Sequence, residues 1–184
     1  MRTFAYVDGY NLFYGCLRGS LFKWLDLGEL LRGILRVQDP ASTLLGTRYF
    51  TSRVMPKFSP HGTKSEAAQL AYLRALDAQP DVHVTLGRYT AVKFRAMRFC
   101  RPPRADKRVA TWRLEEKETD VSLAVSMYRD VALGLVDQII LVSNDSDLSP
   151  ALRMIREDFP GVRIGLVIPS RSEGGTSGER AITE

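Results

Sequence analysis

The chain of 184 residues carries a net charge of +5 at pH 7, with 45% hydrophobic and 26% charged residues, which excludes a wholly disordered, collagen-like or coiled-coil protein. No run approaches the roughly 18 apolar residues of a membrane span. Two cysteines, Cys16 and Cys100, are too few for a disulfide framework or a four-cysteine zinc site. We therefore expect a cytoplasmic protein with one sizeable core and no membrane partner.

Strands and helices alternate along the chain. Capping-box spacing at Asp26–Glu29 and Thr63–Glu66 predicts two helix starts. Apolar residues from Val121 to Leu135 recur at i, i+3, i+4 and i+7, which predicts a long helix, and Pro150 opens another. Short apolar runs predict strands at residues 3–8, 44–52, 82–86, 138–143 and 162–168. This alternation is typical of an α/β sandwich with a mainly parallel sheet of about five strands.

Residues 87–112 differ from the rest because they are basic and partly alternating, so we expect a hairpin or flap laid over the core. Tyr89, Phe94 and Phe99 are interleaved with the cations, and Asp106 is the only acid among them. Such a surface suits phosphate binding and base stacking; the alternative is a solvated hairpin whose aromatic rings pack on the core. The candidate nucleic-acid-binding residues are Arg88, Lys93, Arg95, Arg98, Arg101, Arg104, Lys107 and Arg108.

The charge is distributed unevenly along the chain. Residues 1–110 hold 18 Lys and Arg against 8 Asp and Glu, and residues 111–184 hold 8 against 13. A basic half joined to an acidic half suits a protein that binds a polyanion on one surface and metal ions on another. The alternative is that the arginine content follows a GC-rich genome.

Aspartates stand where predicted strands end. Asp8 closes the first strand, Asp145 and Asp147 follow the fourth, and Asp120 opens the long helix. If the strand order reverses between the first and fourth strands, these carboxylates converge at the crevice where open α/β sheets bind ligands. Clustered carboxylates need a cation, and hard oxygen ligands favour Mg²⁺ or Mn²⁺. The alternative makes Asp8 a turn residue before Gly9, and Asp145 and Asp147 helix-capping residues.

Three further residues lie beside these acids in the sequence. Ser143 and Asn144 could hydrogen-bond a ligating carboxylate or a scissile phosphate, or only shape the turn. Lys117 could contact phosphate, or be a solvated lysine at the helix entry.

Four sequence segments resemble, in order and spacing, the motifs of the NYN domains, a branch of the PIN-like nucleases. They cover residues 6–15 (YVDGYNLFYG), 115–124 (EEKETDVSLA), 141–148 (LVSNDSDL) and 164–169 (IGLVIP), so that the resemblance spans about residues 3–169. It implies a PIN-like three-layer sandwich that cleaves RNA with bound metal. By the same resemblance Asp8, Asp120 and Asp145 bind the metal, Asp147 is a fourth acid and Asn11 is a neighbour.

The chain departs from the family pattern at two places. Glu118-Thr119 stands where the family often has a small residue, which adds an acid close to the site. No final helix is evident after Pro169, so we expect a nuclease domain at 1–169 and a flexible tail at 170–184. This departure leaves open that a second copy supplies the missing edge in a homodimer.

We therefore expect a metal-dependent nuclease, an endoribonuclease by family resemblance, that acts on single-stranded or structured RNA. One alternative is an RNA-binding regulatory module with weak or no catalysis. Another is a phosphohydrolase for a small phosphate ester, because Asp8-Gly9 follows a strand as an aspartyl-phosphate nucleophile does. Tyr10 stands two residues after Asp8, where such an enzyme would carry an acid, and this disfavours the second alternative.

Overall fold

A six-stranded sheet forms the centre of the computed structural model, which describes residues 1–170. Its strands are β1 (Arg2–Asp8), β2 (Thr43–Ser52), β3 (Val82–Met97), β4 (Arg108–Lys117), β5 (Gln138–Val142) and β6 (Arg163–Val167). They lie in the order β4-β3-β2-β1-β5-β6, and every neighbouring pair is parallel except β3 and β4. The α/β class is confirmed, whereas the predicted count of about five strands is wrong by one.

Helices cover both faces of this sheet. They are α1 (Gly9–Leu12), α2 (Leu27–Gln38), α3 (Thr63–Asp77), α4 (Thr119–Ala132) and α5 (Ser149–Asp158). Because successive side chains of a strand point to opposite faces, Val7 packs with the core under α2 and α3, and Tyr6 with the core under α4 and α5. In the described part of the chain, no helix is both long enough and apolar enough to span a membrane.

The two predicted helix starts have different outcomes. Asp26 caps α2, because its Oδ1 accepts a hydrogen bond from the backbone N–H of Glu29 at 2.9 Å. At α3 the predicted cap is wrong: Gly62 occupies the cap position with φ 54°, and Thr63 is already helical without a side-chain cap. Glycine adopts a positive φ without strain, so Gly62 allows the chain to enter α3 without a side-chain cap.

The basic segment continues the central sheet instead of lying over it as a separate flap. The first part of β3 pairs in parallel with β2, and from Arg88 to Met97 the same strand pairs antiparallel with β4. The third strand is therefore sixteen residues long, and β4 runs beyond the predicted boundary at residue 112. Residues of β4 are mostly exposed on both faces, so no apolar alternation reveals this strand in the sequence.

A buried ion pair fixes α4 across the sheet. Asp130, which is 1% exposed, accepts hydrogen bonds from Arg48 Nε at 2.6 Å and Nη2 at 2.9 Å. The hydroxyl of the fully buried Tyr6 donates to the same carboxylate at 2.7 Å. This network ties the C-terminal part of α4 to β1 and β2.

The strand order reverses at β1. From this strand the sheet extends through β2 and β3 on one side and through β5 and β6 on the other. In open α/β sheets such a reversal leaves a crevice at the carboxyl ends of the two central strands. Here that crevice lies between Asp8, which ends β1, and Ser143, which follows β5. The predicted tail at 170–184 lies, beyond Ser170, outside the described residues.

Candidate functional site

Asp8 lies in the crevice and is held from both sides. Its Oδ1 accepts a hydrogen bond from the backbone N–H of Asn11 at 2.9 Å, and its Oδ2 accepts one from Ser143 Oγ at 3.1 Å. Burial raises the pKa of this carboxyl, because the 5% exposed side chain is removed from water. Asp8 is also the N-cap of α1, a local role beside the turn role given above as its alternative, and these hydrogen bonds hold its carboxylate in one orientation.

The loop after β5 is connected to the loop after β1. Ser143 Oγ accepts a hydrogen bond from the backbone N–H of Asp145 at 3.0 Å, and Asn144 donates its backbone N–H to Asn11 Oδ1 at 3.2 Å. Asp145 then caps a short 3₁₀ turn by accepting from the backbone N–H of Asp147 at 2.9 Å. Asn11, Ser143 and Asn144 thus orient the acids and the turn beside them.

Asp120 lies in the first turn of α4 and completes the set of four predicted acids. Partial desolvation raises the pKa of its carboxyl, and the negative charges of Asp8, Asp145 and Asp147 raise it further. Repulsion of this kind acts only between nearby charges. Asp8, Asp120 and the neighbouring pair Asp145 and Asp147 therefore lie within electrostatic range of one another, although the three positions are far apart in the sequence.

A fifth acid, Glu116, joins them from β4 and has no sequence signal of its own. Its Oε1 accepts a hydrogen bond from Thr119 Oγ1 at 2.7 Å. Burial raises the pKa of this carboxyl, and the charges of Asp8 and Asp120 act in the same direction. We refer to Asp8, Glu116, Asp120, Asp145 and Asp147 as the acidic cluster.

Two predicted site residues close to Glu116 in the sequence, Glu118 and Lys117, form ion pairs outside the acidic cluster. Glu118, expected close to the site, pairs its carboxylate with Arg88 at 2.9 Å. Lys117 pairs with Glu115, on the opposite face of β4 from Glu116. In the structure neither side chain is directed to the acidic cluster.

Close packing at Gly87 positions the strand that pairs with Glu116. A Cβ atom on Gly87 would lie 2.6 Å from the Lys117 carbonyl oxygen and still closer to the Thr119 hydroxyl. Thr119 Oγ1 also lies 3.3 Å from Ser52 Oγ, and both of these side chains are buried. Glycine at this position lets β3 approach the start of α4.

In the described part of the chain, no Lys or Arg serves as a counter-cation for the acidic cluster. Within residues 1–170, none of its five carboxylates forms an ion pair with Lys or Arg. Its oxygen donors are those that Mg²⁺ and Mn²⁺ prefer, so the donor set fits such an ion. As placed, no three acidic, histidine or cysteine side chains of the described chain converge at ligand distance. Mg²⁺ commonly keeps several waters and binds only one or two carboxylates directly, so this spacing fits a partly hydrated ion.

The eight predicted basic residues do not form one surface. Arg88, Lys93 and Arg95 project from β3, and Arg108 begins β4, where its Nη1 donates to the Arg95 carbonyl oxygen at 3.4 Å. The remaining four lie in the turn between the strands: Arg98, Arg101, Arg104 and Lys107. Arg104 pairs with Asp106 at 3.0 Å, and the Arg101 guanidinium lies over the Phe99 ring.

Comparison with known proteins gives a family and a curated relative. The family model described as NYN domain matches residues 2–179. The 6-hydroxy-3-succinoylpyridine 3-monooxygenase HspA of Pseudomonas putida (strain DSM 28022 / S16) is 37% identical over 192 residues, which cover 94% of this chain. The chain spans only 61% of that relative's length.

A solved structure of a protein of unknown function from Vibrio parahaemolyticus RIMD 2210633 covers 89% of this chain and 79% of its own. Its sequence identity is 13% and its TM-score is 0.43.

Proposed function

The chain belongs to the NYN domain family, and from this premise we propose that it is a metal-dependent ribonuclease that hydrolyses RNA phosphodiester bonds at the acidic cluster. The observation that carries the proposal is that five carboxylates, none of them with a basic partner in residues 1–170, lie within electrostatic range of one another at the crevice where the strand order reverses. Such a cluster is stabilised by cations, and a phosphodiester is a substrate that a bound cation can activate.

Each residue near the crevice has a proposed role. Asp8, Asp120, Asp145 and Asp147, with Glu116, would hold Mg²⁺ or Mn²⁺, which when bound polarises a phosphodiester oxygen and acidifies a coordinated water. Asn11 and Ser143 keep Asp8 oriented by hydrogen bonds at 2.9 and 3.1 Å. Exposed cations of β3 and β4 supply charge opposite to that of the RNA backbone.

Cleavage of defined substrates tests this proposal. Labelled single-stranded RNA, hairpin RNA and DNA are incubated with the protein and Mn²⁺ or with a chelator, and we expect Mn²⁺-dependent products from RNA. Asp145→Asn should abolish these cleavage products. Asp137→Asn, the same change at the amino end of β5, should leave them unchanged. Binding without cleavage would favour the regulatory module, and hydrolysis of nitrophenyl phosphate alone would favour the phosphohydrolase.

The curated relative favours a second candidate function, oxygenation of a hydroxypyridine. Its printed name assigns 6-hydroxy-3-succinoylpyridine 3-monooxygenase activity to a protein 37% identical to this chain. A monooxygenase places one atom of O₂ in the substrate and reduces the other to water with two electrons. Incubation with that pyridine, O₂ and a reduced nicotinamide therefore separates the candidates: hydroxylated product without RNA cleavage would replace the ribonuclease proposal.

A further inference from the structure

The two faces of the β3–β4 hairpin differ in charge balance. Residues directly opposite each other in an antiparallel pair share a face, and alternate residues share it along each strand. Tyr89 lies opposite Glu116, and Lys93 lies opposite Trp112. We call this side, with Arg95, the Glu116 face. The other side carries Arg88, Phe94, Arg113, Glu115 and Lys117, and we call it the Glu115 face.

The cations of the Glu115 face are already paired with carboxylates. Arg113 Nε lies 2.8 Å from the Glu115 carboxylate, which also pairs with Lys117. Arg88 pairs with Glu118 at 2.9 Å, and the Arg113 guanidinium covers the Phe94 ring. A phosphate arriving here would have to displace carboxylates from these cations.

Among the residues that the structure describes, the cations of the Glu116 face have no carboxylate partners. Within residues 1–170 neither Lys93 nor Arg95 forms an ion pair, and the same holds for Lys57, whose Nζ lies 5.4 Å from the centre of the Trp112 ring. Phe58 packs against that ring at 5.5 Å, yet Trp112 remains 48% exposed. Positive charge and an accessible indole therefore lie side by side.

A second group of aromatic rings lies at the end of the Glu116 face nearest the acids. Tyr89 contacts Tyr10 edge to face at 5.5 Å, and Tyr10 stacks on Tyr14 at 5.9 Å with an interplanar angle of 11°. Tyr14 is 54% exposed. Lys93 follows Tyr89 by four positions along β3, which is roughly 13 Å at about 3.3 Å per residue. The face thus has an aromatic surface at each end.

We propose that the Glu116 face binds one single strand of nucleic acid and leads it to the acidic cluster, with Lys57, Lys93 and Arg95 contacting phosphates and Trp112 and Tyr14 stacking bases. The inference rests on the proposed function. It selects Lys93 and Arg95 from the eight basic candidates and adds Lys57; Arg108 shares this face, but its guanidinium donates to the carbonyl oxygens of Ala105 and Arg95. An unpaired strand is required because a duplex hides the base faces that aromatic rings stack on.

Matched arginine variants on the two faces test the proposal. Binding of a labelled 2′-O-methyl oligouridylate is measured by fluorescence anisotropy across a salt series, with a chelator present so that the acidic cluster holds no metal. Arg95→Ser should reduce the log–log salt slope by about 0.7 and Lys93→Ser/Arg95→Ser by about 1.4. Arg113→Ser removes the same charge from the Glu115 face and should change the slope by less than half as much as Arg95→Ser.

A stacking variant provides a second readout. In a Trp24→Phe background, which leaves Trp112 as the one indole, oligonucleotide binding should quench the tryptophan emission. Trp112→Ala should weaken binding roughly 5- to 150-fold, the range typical of one stacked base, while Trp112→Phe should retain most of the affinity.

Different results overturn the two proposals. The Glu116 face is refuted if Arg113→Ser matches Arg95→Ser, if an acidic peptide competes as well as the oligonucleotide, or if the wild-type protein does not bind the oligonucleotide. The proposed ribonuclease fails instead if RNA stays intact with Mn²⁺ while oligonucleotide binding retains the predicted dependence on Arg95 and Trp112.

Discussion

Neutralising Asp8 should separate metal binding from folding. In Asp8→Asn the amide oxygen can still accept the hydrogen bond from Asn11, and the Ser143 hydroxyl can turn to accept one from the new amide. The substitution weakens hydrogen bonds to a charged group, which costs about 1–2 kcal/mol. It also removes repulsion between Asp8 and its acidic neighbours, which offsets this cost. We expect the metal-free variant to be within about 1 kcal/mol of the wild-type stability.

Added metal should reveal the difference. At a Mn²⁺ concentration 100 times the dissociation constant, the wild-type protein gains about 2.7 kcal/mol. For a domain of this size, 1 kcal/mol shifts Tm by roughly 2–4 °C, so the wild-type Tm should rise by roughly 5–11 °C. Asp8→Asn should show little or no rise, because that gain requires binding to the native site.

Differential scanning fluorimetry across a Mn²⁺ titration measures these shifts, and cleavage of labelled RNA is followed on the same samples. Asp137→Asn is the matched control, because it removes a carboxylate that pairs with Arg2 at 2.7 Å, away from the acidic cluster. The reasoning is refuted if Asp8→Asn keeps both the Mn²⁺-induced shift and near wild-type cleavage, or if Asp137→Asn loses the shift as well.

Three further predictions concern the scaffold. Asp130→Ala should cost about 3–5 kcal/mol in urea unfolding, toward the low end because Arg48 is 28% exposed, and a loss below 1 kcal/mol would contradict the buried pair. Gly87→Ala should lower the stability by about 1–3 kcal/mol, because the new methyl group crowds Thr119, and should slow cleavage. Gly33→Ala places its methyl group in open space beside α2 and should stabilise the protein. If the two substitutions change the stability equally, crowding at Gly87 is excluded. Arg2 lowers the pKa of Asp137 to about 2, so this pair stabilises the fold above the ordinary carboxyl pKa near 3.8, and the Tm difference between wild type and Asp137→Asn should shrink from pH 4 to pH 2. If this Tm difference stays constant between pH 4 and pH 2, the stabilisation does not depend on the ionisation of Asp137.

Sequence pattern predicted the parts of the fold that bury apolar residues. The run at 138–142 is buried throughout and was predicted as a strand within one residue. The sequence predicts a hairpin at 87–112 but not that its second strand, β4, belongs to the central sheet and extends to Lys117, because this edge strand is mostly exposed and its composition carries no burial signal. The hairpin was therefore expected as a flap, although β3 runs from the core into it without interruption.

The residues of the candidate site were also predictable only in part. The four aspartates could be predicted to converge because each follows a strand end or opens a helix at the same edge of a parallel sheet. Glu116 could not, because the sequence offers Glu115, Glu116 and Glu118 within four residues and only strand register selects among them. Period-two alternation gives Glu115 and Glu116 opposite faces, and the register with β3 determines which face meets the acids.

The unbroken course of β3 has a consequence for how the hairpin can change length. One residue inserted into β4 between Trp112 and Glu116 would move every side chain on one side of the insertion to the opposite face of the hairpin. Either Glu116 would leave the acidic cluster or Trp112 would move to the side where the arginines are already paired. Insertions of two residues, or of any number within the turn at 98–107, preserve that parity. Natural variation in length among chains built this way should therefore concentrate in the turn and occur within the strands in pairs.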